Sequence, residues 1–449
     1  MSAFHVAIIG AGASGTLTAV QFARLAPPGA RGALIDAGAR AARGLAYGTP
    51  YGAHLLNVPA ARMSALPDDP EHFLRWLRAR VADAGPGTFA PRAMYGDYLA
   101  SLLAADETHS RVARVGGTAI GLTRGATWTV HLHDGRTIDA RSVVLALGNL
   151  PPSDPLHLED PPAEYVRDPW APGAAIGLAP DAPVLLIGSG LTAIDVAVAL
   201  RHEGHRGTIT MLSRHGRLPQ AHAPVTPRPL ASVPFSSPRG ALRWVREQIE
   251  HGAEWRAVVD SLRPHTVAIW QAWSLAQRGA FLRHLKNLWD VHRHRAAPEV
   301  LAQLDADVLR GRVVSLRAGV VETTAGTLEV ARVINCTGPA CDYARLDLPL
   351  VVQMRRAGWL VPDPLRLGIE TADDGRLIGA DGQPVDDLYT LGPLRRPALW
   401  ESTAIPEIRE QARELARTLT ATAHFPAGSR SSSGSPSTPD PPPPSACES

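Results

Sequence analysis

The sequence predicts an α/β protein made of two parallel-sheet units. A strand–glycine turn–helix passage occurs twice, near residue 10 and again near residue 188. Around these passages, Val/Ile/Leu runs of strand length alternate with helical stretches. A third observation refines the picture: residues 239–304 are strand-poor and carry Trp and Leu at helical spacing, so they read as a helical insertion. At 449 residues, two or three globular units with ample core are expected.

The first passage opens with the apolar strand Phe4–Ile9, turns at Gly10-Ala11-Gly12-Ala13-Ser14-Gly15, and continues as a helix through Arg24. No charged residue precedes the apolar run, so it reads as a buried strand and not as a secretory signal, which needs a positive leading region. A second strand, Ala33-Leu34-Ile35, ends in Asp36, 21 residues after Gly15. That spacing suits an acid that accepts ribose hydroxyls. Gly10 makes the tight turn, Gly12 lets backbone N–H groups approach a pyrophosphate, and Gly15 allows helix and strand to pack closely, with Ser14 in the same turn. The diphosphate then rests on the positive end of the helix. An acid at position 36 favours an unphosphorylated ribose, hence FAD or NAD.

The second passage is Val184–Ile187 followed by Gly188-Ser189-Gly190-Leu191-Thr192-Ala193, again between strand and helix. Its next strand, Thr208–Leu212, ends in Ser213-Arg214 where the first passage has its acid. A hydroxyl and a guanidinium welcome a ribose 2′-phosphate, so this turn is assigned to NADPH. Arg214 stacked on the adenine of NADH is the alternative. Two fingerprints of opposite character imply bound FAD and a diffusing nicotinamide that reduces it.

Three later stretches fit the same plan. Val143–Leu147 is a buried strand ending at Gly148, and Val333–Cys336 a second one ending in Thr337-Gly338-Pro339. Both look like connections between the two units. Leu388–Leu391 leads into Gly392, and Pro406 opens an amphipathic helix whose amino end would stabilise charge on reduced flavin by ~0.3–1 kcal/mol. An ordinary Pro-initiated core helix is the alternative. The expected organisation is 1–168 for the first part of an FAD-binding domain, 169–336 for the NAD(P)H-binding domain with its insertion, and 337–427 for the return segment. The remainder, 428–449, has eight Ser and six Pro in 22 residues and is expected to be a disordered tail.

Composition excludes several classes. Lys+Arg at 45 against Asp+Glu at 43 leaves a formal charge of +2, so no basic field points to nucleic acid or an anionic membrane. No apolar run is long enough to span a bilayer. Three cysteines make no disulfide framework, and a cytoplasmic protein is expected. Cys336 and Cys341 raise a disulfide reductase, although Cys336 ends a buried strand where a small apolar residue suffices. His292 and His294 stand at i and i+2, which do not share a helix face, so no metal site is expected. The tryptophans at 244, 255, 270, 273 and 289 read mostly as core anchors.

Further stretches carry a family resemblance. They are Gly44-Leu45-Ala46-Tyr47-Gly48-Thr49-Pro50, His54-Leu55-Leu56-Asn57-Val58-Pro59-Ala60-Ala61-Arg62-Met63-Ser64, Pro91–Leu99, Trp289–Arg295 and Leu399–Pro406. In these the sequence resembles bacterial FAD/NAD(P)-binding proteins, distantly similar to flavin-dependent N-hydroxylating monooxygenases. Members with an assigned reaction include hydroxylases of amino-acid amines and of urate. The resemblance implies that Asn57, Arg62, Met63 and Ser64 lie near the isoalloxazine. It departs where the N-hydroxylases often carry a lysine: here the stretch reads Met63-Ser64-Ala65-Leu66-Pro67, which argues against ornithine or lysine as substrate.

The expected protein is thus a two-dinucleotide-binding-domain flavoprotein with two Rossmann-like domains. Its expected reaction is hydroxylation of a small, nitrogen-rich, polar metabolite with FAD, NADPH (or NADH) and O2, through a flavin C4a-hydroperoxide. Such a site must keep water from collapsing the peroxide and benefits from one base or charge partner. His54, Asp97, His292, His294 and Glu401 are the candidates. The rivals are an NAD(P)H:acceptor or disulfide reductase and a nucleotide-binding redox sensor.

Overall fold

The computed structural model describes residues 3–38, 41–226, 229–230, 235–317 and 319–421; the expected tail lies outside them. Phe4–Ile9 forms the inner strand of an eight-stranded sheet because both of its faces are apolar, with Val6, Ala7 and Ile8 fully buried. Gly32–Asp36 and Thr137–Leu145 pair with it in parallel on either side. Val112–Gly116 extends one edge. On the other side Pro384–Thr390 pairs in parallel with Thr137–Leu145, so the chain returns to this sheet after more than two hundred residues. Arg376–Ile378, antiparallel to Pro384–Thr390, and the antiparallel strands Ala119–Arg124 and Trp128–Leu132 complete it.

One face of this sheet is covered by the helices Ala13–Leu25, Arg92–Ala104 and Ile405–Ala421, whose apolar residues share a core cluster with Val6 and Ile8. The opposite face packs Trp128, Leu350, Val351 and Met354. Arg24 ends the first helix with a cation in its last turn, the sign its dipole favours.

The second sheet has five parallel strands in the order Asp307–Arg310, Ile209–Ser213, Val184–Ile187, Arg332–Asn335, Tyr165–Val166. Tyr165 and Val166 fell within 1–168 in the sequence reading, yet they pair with Val333 and Ile334 and belong to this second sheet. The chain passes between the sheets along two adjacent strips, where Leu150 bridges Ala340 and Asn335 Nδ2 donates to the Ser153 carbonyl at 3.0 Å.

Between the neighbouring strands Ile209–Ser213 and Asp307–Arg310 the chain makes the helices Pro238–Glu250, Trp255–Leu262, Thr266–Ala272, Leu275–His284, Lys286–Arg293 and Pro298–Ala302. The helical insertion thus occupies a strand-to-strand crossover. Its boundaries are written in the sequence: Ser237 caps the Gly240 N–H ahead of Pro238, and Ser274 with Gln277 forms a capping box. No helix among the described residues is long and apolar enough to cross a membrane.

Candidate dinucleotide and reaction site

The two glycine turns are built alike. Gly10 has φ +103°, and a Cβ there would meet the Ala146 carbonyl oxygen at 2.4 Å. Gly188 has φ +122°, and its Cβ would meet the Cys336 carbonyl oxygen at 2.5 Å. Each turn therefore presses its backbone against the end of the neighbouring strand, which only glycine permits. At Gly15 a Cβ would lie 1.8 Å from the Gly10 carbonyl oxygen. Gly12 and Gly190, both extended, cap the two helices without any side-chain acceptor. Their first N–H groups are left for an anion, which is how such turns hold a diphosphate. The cradle closes around backbone alone, and a dinucleotide fits it. Leu191 and Thr192 form the first turn of the second helix.

Asp36 ends its strand beside the first turn, where one carboxylate oxygen accepts from the Ala11 N–H at 3.4 Å. The return segment meets the same turn: a Cβ on Gly392 would lie 2.7 Å from Ser14 Oγ, and the Gly392 N–H donates to Gln411 Oε1 at 3.0 Å. Asp97 is half exposed and pairs with Arg43 at 2.5 Å. It steadies the 43–47 segment, whose Gly44 Cα would stand 3.6 Å from a Cβ on Gly12. That geometry makes Asp97 a positioning residue, in place of the base expected.

At the second turn, the Ser189 and Ser213 hydroxyls bond each other at 2.7 Å, Ser189 giving its proton to the Arg217 carbonyl at 2.7 Å, and the Gly216 N–H donates to the Ser213 hydroxyl at 3.1 Å. Arg214 follows the strand end, exposed. His215 beside it is held below its ordinary pKa, first by desolvation and then by Arg217, Arg214, Arg310 and Arg312. Sequence reasoning found Ser213 and, of these arginines, Arg214 alone. Arg310 joins it because Asp307–Arg310 pairs with Ile209–Ser213 in register, Arg310 opposite Ser213.

The connecting residues serve the passage between units. Gly148 and Gly338 have positive φ with open space around them. The Thr337 backbone N–H and hydroxyl both donate to Asn335 Oδ1, at 3.2 and 2.7 Å. Cys336 is buried under the Gly188 turn, and burial pushes its thiol far above the ordinary value. Cys341 donates to the Pro339 carbonyl at 3.4 Å; both cysteines are free thiols.

The loop expected near the flavin ring splits in two. Met63 is 2% exposed within the first core cluster, so it packs and offers no face to a ligand, a correction to the sequence reading. Ser64 likewise is buried, donating to the Asp69 carbonyl at 2.6 Å. The Asn57 carbonyl accepts from His222 Nε2 at 3.0 Å, joining this loop to the second unit. The Arg62 backbone N–H donates to the Pro59 carbonyl at 2.9 Å, while its guanidinium makes no hydrogen bond or ion pair among the described residues. Desolvation holds its pKa down, with Arg263, Arg293 and Arg295 acting in the same direction and Asp260 against them.

Two of those arginines, Arg263 and Arg293, pair with carboxylates around the start of the last helix. Glu401, 7% exposed, accepts from Trp289 Nε1 and from Arg293, both at 3.1 Å. Burial pushes its carboxyl up, but Arg293, His294 and the Trp289 N–H outweigh that and the net shift is downward. An ionised, doubly bonded carboxylate is a weak base, so Glu401 anchors Arg293. Arg263 pairs with Glu407 at 2.6 Å in the turn that Pro406 opens, and Arg295 with Asp260 at 2.8 Å. His294 lies beside Glu401, its pKa lowered chiefly by burial.

His54 is the clearest correction among the base candidates. Its Nε2–H donates to the Asp195 carbonyl at 2.8 Å, which leaves Nδ1 to accept from the Thr49 hydroxyl at 2.8 Å. Both ring nitrogens are engaged, and burial lowers its pKa. It is a neutral link between the units. His292 donates from Nδ1 to the Leu288 carbonyl at 2.8 Å and lines a pocket of the helical insertion.

Residues 7–150 match the family model described as FAD-NAD(P)-binding. The chain also superposes on the reduced form of ornithine hydroxylase from Pseudomonas aeruginosa with a TM-score of 0.61 at 16% identity, covering 94% of this chain and 99% of that one. The chain has the fold of a two-domain FAD/NAD(P)-binding flavoprotein. A flavin monooxygenase mutant from Stenotrophomonas maltophilia is similar over 94% and 99% of the two chains, at 18% identity and a TM-score of 0.56. So is a bacillithiol disulfide reductase from Staphylococcus aureus, over 94% and 100%, at 14% and 0.55. No curated protein matches the sequence. This flavoprotein fold serves oxygenases and reductases alike, so the reaction has to be argued from the site.

Proposed function

We propose that this protein is an FAD-dependent, NADPH-consuming monooxygenase acting on a small, polar, nitrogen-rich metabolite, a urate-type purine or an amino-acid amine. The contrast between the two turns carries the reading: Asp36 stands at the first, whereas Arg214, Arg217, Arg310 and Arg312 surround His215 at the second. A carboxylate accepts ribose hydroxyls and repels a 2′-phosphate, while a group of guanidiniums binds one. Asp36, the 10–15 backbone and Gly392 would hold FAD; the 188–193 backbone and the arginines would hold NADPH. Bound flavin supplies electron transfer from the nicotinamide and the oxygen chemistry that side chains lack.

The protein's own residues hold and orient. The uncapped helix ends bind the two diphosphates. Arg62, left without a carboxylate partner among the described residues, is the charge available to an anionic group of the substrate. The Arg293–Glu401 pair keeps the neighbouring loop in place without competing for that substrate. The reductase reading is disfavoured by the thiols: Cys336 is buried beneath a glycine turn and held protonated.

Purified protein should be yellow, and NADPH should bleach it without oxygen. A screen of urate, related purines and amino acids should find one that stimulates NADPH oxidation with matching oxygen uptake and little peroxide. Turnover that persists anaerobically with a quinone or disulfide, or that Cys336→Ser abolishes, would establish the reductase.

A further inference from the structure

The helical insertion forms an apolar pocket of about 290 Å³, half open to solvent. Its wall is largely aromatic: Trp255, Trp270, Trp273, Phe281, Trp289 and Trp400 line it. A concave apolar surface of this size is the usual setting for a small organic ligand.

The tryptophans are held as a fixed box. Trp270 Nε1 donates to the Pro397 carbonyl at 2.7 Å, Trp273 Nε1 to the Phe235 carbonyl at 3.1 Å, and Trp289 Nε1 to Glu401. Guanidiniums lie over the rings of Trp255, Trp270 and Trp400, with Arg256, Arg278 and Arg396 at 4.2, 5.1 and 4.6 Å from the centroids. With these indole donors engaged by protein groups, the box offers water few of the two to four partners it needs.

Three lining residues are polar: Thr266, whose hydroxyl is given to the Arg263 carbonyl, Arg246 and His292. Arg246 is exposed on the helix Pro238–Glu250 and makes no ion pair among the described residues. His292, its Nδ1–H given to Leu288, is left with Nε2 as an acceptor. An apolar aromatic chamber with one unpaired guanidinium matches a planar ring that carries a single carboxylate.

We infer that the helical insertion carries a binding site for a small aryl carboxylate, separate from both glycine turns. The ring occupies the tryptophan box and the carboxylate pairs with Arg246. Because Trp289 bonds Glu401 and Trp400 precedes it, an occupant also steadies the loop that leads into the last helix. The inference stands whether or not the protein is an oxygenase, since binding is read without turnover.

The test titrates phenylacetate into the full-length protein and follows tryptophan emission. Saturable binding is expected, with phenylacetamide roughly tenfold weaker and Arg246→Ala removing that preference. Ala241→Trp, which places a ring in the cavity, should abolish both; its melting curve shows whether it folds, and Arg246→Ala, a surface change, keeps the test decisive if it does not. A response that never saturates, equal affinity for acid and amide, or binding indifferent to Arg246→Ala would overturn the assignment.

Discussion

Arg92 and Asp195 join the two units through a two-pronged ion pair, with guanidinium to carboxylate distances of 2.6 and 3.0 Å. Arg92 opens the helix Arg92–Ala104 on the first sheet, and Asp195 lies in the helix of the second glycine turn. Their side chains are 15% and 9% exposed, so each charge depends on the other. Arg92→Ala or Asp195→Ala leaves one buried charge unpaired and should cost ~3–5 kcal/mol in urea unfolding. The double variant should cost clearly less than the sum, because neither charge is then stranded. Additive losses would mean that the pair contributes little as a pair.

The arginine group at the second turn should decide which nicotinamide is used. Arg214→Ala removes a charge-assisted bond worth ~1.5–3 kcal/mol, a ten- to hundred-fold rise in the KM for NADPH with the KM for NADH almost unchanged. Arg310→Ala should act in the same direction, since Arg310 stands in register beside Ser213. Steady-state kinetics with both coenzymes reads this directly, and a KM for NADPH that ignores Arg214→Ala would remove the 2′-phosphate from this edge.

Much of that site was visible in the sequence, and the reason is locality. Phe4–Ile9, the Gly10–Gly15 turn and Asp36 lie within one strand–helix–strand unit, so propensity and spacing carried them. The insertion was equally plain, because amphipathic helices announce their own period. Arg310 was not, since about a hundred residues of insertion separate it from the strand it joins. His54 was misread for the same reason: its partner Asp195 is 141 residues away, and a histidine with both nitrogens engaged looks in sequence like one with a free lone pair. Met63 failed differently, since a position carried over by resemblance says nothing of which way a side chain turns.

Stability should fall on mild acidification. His54 has its folded pKa lowered from 6.5, first by burial and further by Arg92 and His202, with Asp195 opposing. Its contribution is therefore complete above the unfolded value and is lost as pH drops below it, because the unfolded chain takes up a proton the folded one refuses. His222 and His294 are shifted the same way. Urea midpoints should decline between about pH 7 and about pH 5, and His54→Gln should shallow the slope without flattening it. An unchanged slope would show that His54 titrates alike in the folded and unfolded chain.

The two glycine turns should fail independently. Gly10→Ala drives a methyl into the Ala146 carbonyl from a φ of +103°, and Gly188→Ala does the same at Cys336 from +122°. Each carries ~1–3 kcal/mol of backbone strain besides the clash, so each turn must shift away from the strand end that shapes it. Gly10→Ala is expected to purify with little flavin, seen as lost visible absorbance. Gly188→Ala should keep its colour and lose at least tenfold in NADPH affinity, with slow anaerobic bleaching, because its damage is confined to the second sheet. The asymmetry matters more than either loss: if Gly188→Ala emptied the flavin and Gly10→Ala spared it, the two turns would have exchanged cofactors, and Asp36 and Arg214 would have to be reassigned with them.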